Sequence, residues 1–109
     1  MPPFTFLENV AEQVVIPEAG IVSRTVFDDE ALKIVAFGFS PGHEMPSHVT
    51  PMAIVLYVVQ GQLEVMMGDV TKPAGLGALV HMAPRTPHSI LAKTGAVMLL
   101  LMLKLPRVL

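Results

Sequence analysis

No cysteine occurs anywhere in the 109 residues, so disulfides, thiolate metal sites and thiol nucleophiles are all excluded. Tryptophan is absent too and tyrosine occurs once, so a platform for stacking bases is not expected. Charge is scarce: Asp, Glu, Lys and Arg make up 15% of the chain, against about 25% in an ordinary domain. The net charge is −2 and no block of Lys and Arg exists. A nucleic acid is therefore not an expected partner, because neutralising phosphates takes clustered cations. Long apolar runs are missing as well. The longest, Ala96 to Leu103, falls far short of the roughly 20 residues of a spanning helix, so no membrane span is expected. The opening residues, Met1 to Glu8, show neither a basic segment nor a long apolar one. They do not read as a secretion signal, and a cytoplasmic location is expected. A phosphate-cradling glycine loop and a Gly-x-Ser-x-Gly elbow are also absent.

What the chain has in excess is apolar surface, with 52% hydrophobic residues. One domain of this size buries roughly two-thirds of its unfolded surface. The excess predicts that a second copy covers part of the exterior, as a symmetric homodimer. Glycine and proline punctuate short apolar runs. Strands are expected at Val22 to Phe27, Leu32 to Phe39, Ala53 to Val59, Gln62 to Met67, Leu79 to Met82, Ser89 to Ala92 and Val97 to Leu103. Asp28-Asp29-Glu30, Ser40-Pro41-Gly42, Gln60-Gly61 and Gly68-Asp69 supply turns. Leu7 to Val15 is the one segment with a helical reading. About seven or eight short strands, with a turn about every ten residues, predict an all-β sandwich or barrel.

Two stretches carry more than pattern. Gly42-His43-Glu44-Met45-Pro46-Ser47-His48-Val49-Thr50 leads into a strand that closes at Gly61. Gly77 leads, through a turn holding Pro84 and Pro87, to His88. These resemble the two conserved motifs of the cupin family, and the resemblance extends from about Leu32 to Leu103. It implies an all-β double-stranded β-helix, a jelly-roll barrel with a central pocket. Residues 21–109 would form the barrel. Residues 1–20 would be an N-terminal extension and a candidate part of the dimer interface.

The resemblance also implies a site, from which this chain departs. Cupins with a metal hold one divalent ion with three His and one Glu, a set that suits Fe, Mn, Ni, Cu or Zn. His48 and His88 stand at two of the His positions, but Thr50 takes the place of another His and Ile54 that of the Glu. Ala83, Arg85 and Ala92 stand where Pro, Gly and Asn are usual. His48, Thr50, Ile54 and His88 are the expected pocket residues. His48 and His88 are the candidate metal ligands, and His43 is a weaker third. In a regular strand His43 would face away from His48, unless a bend at Pro46 re-aims it. Glu44 reads as a solvated rim carboxylate and His81 as an outward-facing surface or interface residue. The methionines in or beside the strands read as core or interface filling.

Three functions follow as expectations. The first is binding of a small, mostly apolar molecule in the central cavity, with a degraded, weak divalent metal site. The second is a metal-dependent dioxygenase- or isomerase-like enzyme with a reduced His set. The third is a structural dimerisation module. The fold hosts many activities and does not choose among them.

Overall fold

A computed structural model describes residues 3–104. Nine strands follow one another: β1 (Ile21–Asp28), β2 (Leu32–Phe39), β3 (Glu44–His48), β4 (Ala53–Gln60), β5 (Leu63–Met67), β6 (Val70–Ala74), β7 (Leu79–Met82), β8 (His88–Ala92) and β9 (Ala96–Leu103). They form two antiparallel sheets, ordered β1-β2-β9-β4-β7 and β3-β8-β5-β6. Neighbours within a sheet are mostly distant in sequence, and the chain alternates between sheets as a jelly roll does.

The expected strands are present, with β2 and β7 at the expected limits. Two strands, β3 and β6, go beyond the expectation, and the region Leu7 to Val15 holds a single 3-10 turn, Val10–Gln13. Asn9 caps that turn by accepting from the Ala11 amide at 3.1 Å, and Val14 beyond it is already extended.

Side chains alternate along each strand, so one face of each sheet supplies the interior. From the five-stranded sheet come Phe39, Ile54, Leu56, Val58, Met82, Ala96 and Met98. From the four-stranded sheet come Leu63, Val65, Ala74, Ile90 and Ala92. All are buried, and Met45, Met67 and Met102 pack against them. The interior is thus a filled apolar core with several flexible thioethers at its margin.

Turn chemistry holds the strand ends. The Asp29 carboxylate accepts from the amides of Ala31 and Leu32, each at 2.8 Å, and closes the β1–β2 hairpin. Lys104 reaches back to the same hairpin, donating from its ammonium to the Asp28 carboxylate and from its amide to the Ala31 carbonyl. Between β4 and β5, Gly61 adopts φ 80°, and a Cβ there would sit 2.1 Å from the Gly95 carbonyl oxygen. The turn admits only glycine.

The outer face of the five-stranded sheet is also apolar. Tyr57 lies between Leu79 and Leu99, and Leu99 lies beside Ala36. In the next row Val55 lies between His81 and Leu101, and Leu101 lies beside Ile34. Residues ahead of β1 cross part of this face: the Val15 carbonyl packs so closely on Gly38 that a Cβ would approach it to 2.5 Å. Pro3, Phe4, Phe6 and Leu7 wall an open cleft of about 800 Å³ with Val26, Ile34 and Leu99. Among the described residues no helix is long and apolar enough to cross a membrane.

Candidate functional site

His48 ends β3 and His88 opens β8, and the two are cross-strand partners. Their ring centroids lie 4.3 Å apart with the planes tilted by 59°. His88 is buried, at 4% exposure, whereas His48 is exposed. Each Nδ1 faces a backbone carbonyl, that of Pro46 at 3.1 Å for His48 and that of Thr86 at 2.8 Å for His88. A carbonyl oxygen only accepts, so each Nδ1 carries the hydrogen. In the neutral rings each Nε2 then presents a lone pair. This is the tautomer in which an imidazole binds a metal or accepts a hydrogen bond from a ligand.

The pairing depends on an irregularity in β3. Met45 pairs with Ile90 and His48 with His88, so β3 uses three steps where β8 uses two. The extra residue, at Pro46–Ser47, puts Met45 and His48 on one face although their sequence parity differs. Through the same bend His43 falls on that face as well, but far along it. Its carbonyl accepts from the Ala92 amide at 3.0 Å, four residues along β8 from His88, or about 13 Å of strand. His43 is exposed, and its Nδ1 shares a hydrogen bond with the Ser40 hydroxyl at 2.7 Å. It does not join the imidazole pair.

Thr50 lies in the loop between β3 and β4. Its hydroxyl accepts from the Met52 amide at 3.4 Å, and its carbonyl accepts from the Arg85 amide at 2.8 Å. It stitches this loop to the turn that delivers His88. Ile54 is buried on β4, cross-strand to Met82 and Met102, in the interior cluster that Met45, Met67 and Ile90 share. Glu44 pairs with Leu91 and is exposed, and His81 is exposed beside Val55.

Two features could not be read from spacing. One is Met67. On β5 it is the cross-strand partner of His88, so His48, His88 and Met67 form one row across the sheet. The Gly68 amide donates to the Pro87 carbonyl at 2.8 Å, bracketing the Met67–His88 pair. A pair so bracketed is the narrow kind, with Cα atoms about 4.5 Å apart and side chains in closest approach. The other is a cleft of about 370 Å³ between the sheets, where β5 and β6 face β7. Val65, Ala74, Ala78 and Val80 wall it, Met67 borders it, and Lys72 lies at its rim on the edge strand β6. His48, Thr50, Ile54 and His88 do not line it.

The donor set does not fit the divalent ion that the first-motif resemblance implies. Among the described residues no three His, Cys, Asp or Glu side chains gather closely enough to share one ion. Two imidazoles without a carboxylate offset little of a +2 charge, and the Glu position is filled by the buried side chain of Ile54.

With the geometry known, comparison with known proteins gives the family. The cupin domain model matches residues 35–104. The chain belongs to the cupin domain family. The conserved SPY1581 protein of unknown function from Streptococcus pyogenes is 23% identical, with a TM-score of 0.85 over 97% of this chain and 93% of that one. A cupin superfamily protein from Desulfitobacterium hafniense is 17% identical, with a TM-score of 0.84 over 93% of each chain. An RmlC-like cupin from Desulfovibrio desulfuricans is 29% identical, with a TM-score of 0.77 over 95% of this chain and 97% of that one. No curated protein matches the chain. These neighbours show that the cupin barrel is shared. The chemistry of this cupin has to be argued from its own residues.

Proposed function

We propose that this cupin is a small-molecule-binding protein that takes a compact, mostly apolar molecule into the cleft between its sheets. The observation carrying this reading is the inter-sheet cleft walled by Val65, Ala74, Ala78 and Val80, with Met67, cross-strand partner of His88, on its border. Its volume of about 370 Å³ lies at the small end of the usual range for ligand sites and suits a single ring or a short chain. Apolar walls supply most of the affinity, and few polar groups are needed to set orientation. Lys72 pairs with inward-facing Val65, which places it on the cleft side of β6, where its ammonium favours a ligand with an acidic head group. The larger cleft under Pro3 to Leu7 lies outside the barrel, on the sheet face assigned below to a second subunit.

This reading is favoured over a metal-dependent dioxygenase or isomerase because those chemistries need a firmly held metal. The donor set here, two imidazoles beside an apolar wall, suits ligand orientation better. Ligand-observed NMR with a panel of small aromatic and aliphatic carboxylates, each beside its neutral amide, tests the reading. Wild type is expected to bind carboxylates over amides. Ala78→Leu, which fills the cleft, should abolish binding, and Lys72→Met should erase the preference for the acid. Unchanged binding in Ala78→Leu would overturn the cleft as the site.

We also infer a homodimer through the outer face of the five-stranded sheet. Its rows Leu79–Tyr57–Leu99 and Val55–Leu101–Ile34 are apolar across the inner strands, with Arg24 and His81 only on the edge strands β1 and β7, so a second copy of the same face matches its centre better than a charged partner would.

A further inference from the structure

We propose that the inter-sheet cleft selects N-acylated apolar amino acids, whose amide pairs with the free backbone edge of β7. This rests on the cleft being the ligand site, and it names the class of acid taken there.

Hydrogen-bond register fixes what β7 turns toward the cleft. β7 is an edge of the larger sheet and pairs with β4 alone. The Val58 amide donates to the Ala78 carbonyl at 3.0 Å, a bond that brackets the Tyr57–Leu79 pair, so those two residues exchange no hydrogen bonds with each other. The bonds between β4 and β7 therefore run through Ala78 and Val80. The amides and carbonyls of Leu79 and His81 point the other way, off the edge of the sheet. Among the described residues these four groups have no partner. Leu79 and His81 also line the cleft, although alternation sends their side chains to the outer face beside Tyr57 and Val55. What they present to the cleft is main chain.

The facing edge is blunted. β6 pairs with β5 alone. The bond from Gly68 to Pro87 brackets Met67–His88, so Met67 and Val65 direct their backbone groups to β6, and Lys72 is bonded opposite Val65. Thr71 and Pro73 then face the open edge of β6, where proline has no hydrogen to offer. An edge carrying Lys and Pro is guarded against strand pairing. The edge of β7, Leu79–Met82, has neither residue.

Two polar features thus flank the apolar walls: backbone donors and acceptors on β7, and the Lys72 ammonium on β6. A ligand complementary to both carries a carboxylate for Lys72, an adjacent amide that donates and accepts, and an apolar side chain. An N-acylated amino acid holds these three groups on neighbouring atoms. A plain acid fills the walls and meets Lys72 but leaves the β7 edge to water. The volume of about 370 Å³ limits the ligand to one such residue rather than a longer peptide strand. The plain alternative is an edge that only water satisfies.

The test is calorimetry of the full chain with three probes: N-acetyl-leucine, its ester analogue in which oxygen replaces the N–H, and isocaproate, which lacks the amide. The ester turns a lone pair toward the carbonyl that the amide would donate to. N-acetyl-leucine is expected to bind wild type at least about tenfold more tightly than either of the others. Hydrogen exchange read by NMR needs no variant: saturating N-acetyl-leucine should slow exchange of the Leu79 or His81 amide, and isocaproate should not. Leu79→Pro and His81→Pro, made singly, remove edge hydrogens that the sheet does not use. At least one should weaken N-acetyl-leucine about tenfold and leave isocaproate binding unchanged. Equal amide and ester affinity in wild type, with both lost in Ala78→Leu, would overturn this inference and leave the cleft standing. Unchanged binding of all three probes in Ala78→Leu would remove the cleft and this inference with it.

Discussion

Arg85 donates its amide to the carbonyl of Thr50 at 2.8 Å while its own backbone adopts φ 64°, the left-handed conformation. It is the one non-glycine residue with positive φ among the described residues. The sequence comparison places Arg85 where cupins usually carry glycine. The backbone of the motif is thus kept after its side chain has changed, and the turn that delivers His88 is strained. Left-handed geometry costs an L-residue roughly 1–2 kcal/mol, and part of the gain from glycine is lost to its freer unfolded chain. Arg85→Gly should therefore stabilise the protein by about 0.5 kcal/mol, or roughly 2–4 °C in melting temperature. Thermal and urea denaturation measure it. A clear loss of stability would show that the arginine side chain makes a contribution larger than the strain.

Gly61 presents the opposite case. Its φ of 80° and the 2.1 Å approach of a built Cβ to the Gly95 carbonyl oxygen leave no room for a side chain. Both the turn and the neighbouring Gly95–Ala96 backbone would have to move. Gly61→Ala should cost at least about 2 kcal/mol in chemical denaturation, among the larger effects of a single methyl. Near-neutral stability would mean that the β4–β5 turn yields easily.

How much could be read in advance differs between strands for a physical reason. β2, inside the larger sheet, shows a clear apolar run, and β7, though an edge of that sheet, keeps three apolar residues of four and no proline. The two strands beyond the sequence expectation, β3 and β6, are the two edges of the smaller sheet. β3 reads Glu-Met-Pro-Ser-His and is mostly exposed, and β6 reads Val-Thr-Lys-Pro-Ala with only Ala74 buried. An edge strand buries little, tolerates proline and so lacks the alternation that marks an inner strand. The site shows the same division. His48 and His88 stand out through their motifs. Met67 becomes visible only through its register with His88, because its sequence signature is that of any core methionine. The inter-sheet cleft is assembled from β5, β6 and β7, and spacing within one strand cannot reveal it.

Acid stability should depend on the hairpin clamp. The hydrogen bond from Lys104, helped by the charges of Lys104 and Lys33, holds the Asp28 carboxyl below its ordinary value despite slight desolvation. A folded-state pKa below the unfolded one gives stability that is present above the unfolded value, about 3.9. That contribution disappears as the pH falls through the folded value. Asp28 is exposed, so the effect is modest and screened by salt. Lys104→Met should lower the melting temperature slightly at pH near 6, and the gap to wild type should narrow as the pH falls below the ordinary carboxyl value, leaving the part carried by the Lys104 hydrogen bond to the Asp29 carbonyl. Melting curves across that range check the sign. A gap that widens on acidification would contradict the clamp.

The proposed dimer makes the most direct demand on the outer sheet face. Tyr57 and Leu79 are cross-strand partners there, with 38% and 65% of their surfaces exposed in the single chain. Neither supports the interior, so replacing both should leave the fold intact. In a two-fold dimer each would be covered twice, once per subunit, and a lysine at each position would bring like charges together in a desolvated patch. Fully burying one apolar side chain is worth about 1.5–3 kcal/mol, so the loss across a symmetric pair is large. Wild type should scatter light as a particle of twice the chain mass at micromolar concentration. Tyr57→Lys with Leu79→Lys should scatter as a single chain with an unchanged β-rich circular dichroism spectrum, its dimer dissociation constant raised at least about a hundredfold. A monomeric wild type would remove the interface altogether. A double variant that stays dimeric would move the interface off β4 and β7, toward the cleft that Phe4 and Phe6 wall with Val26 and Ile34.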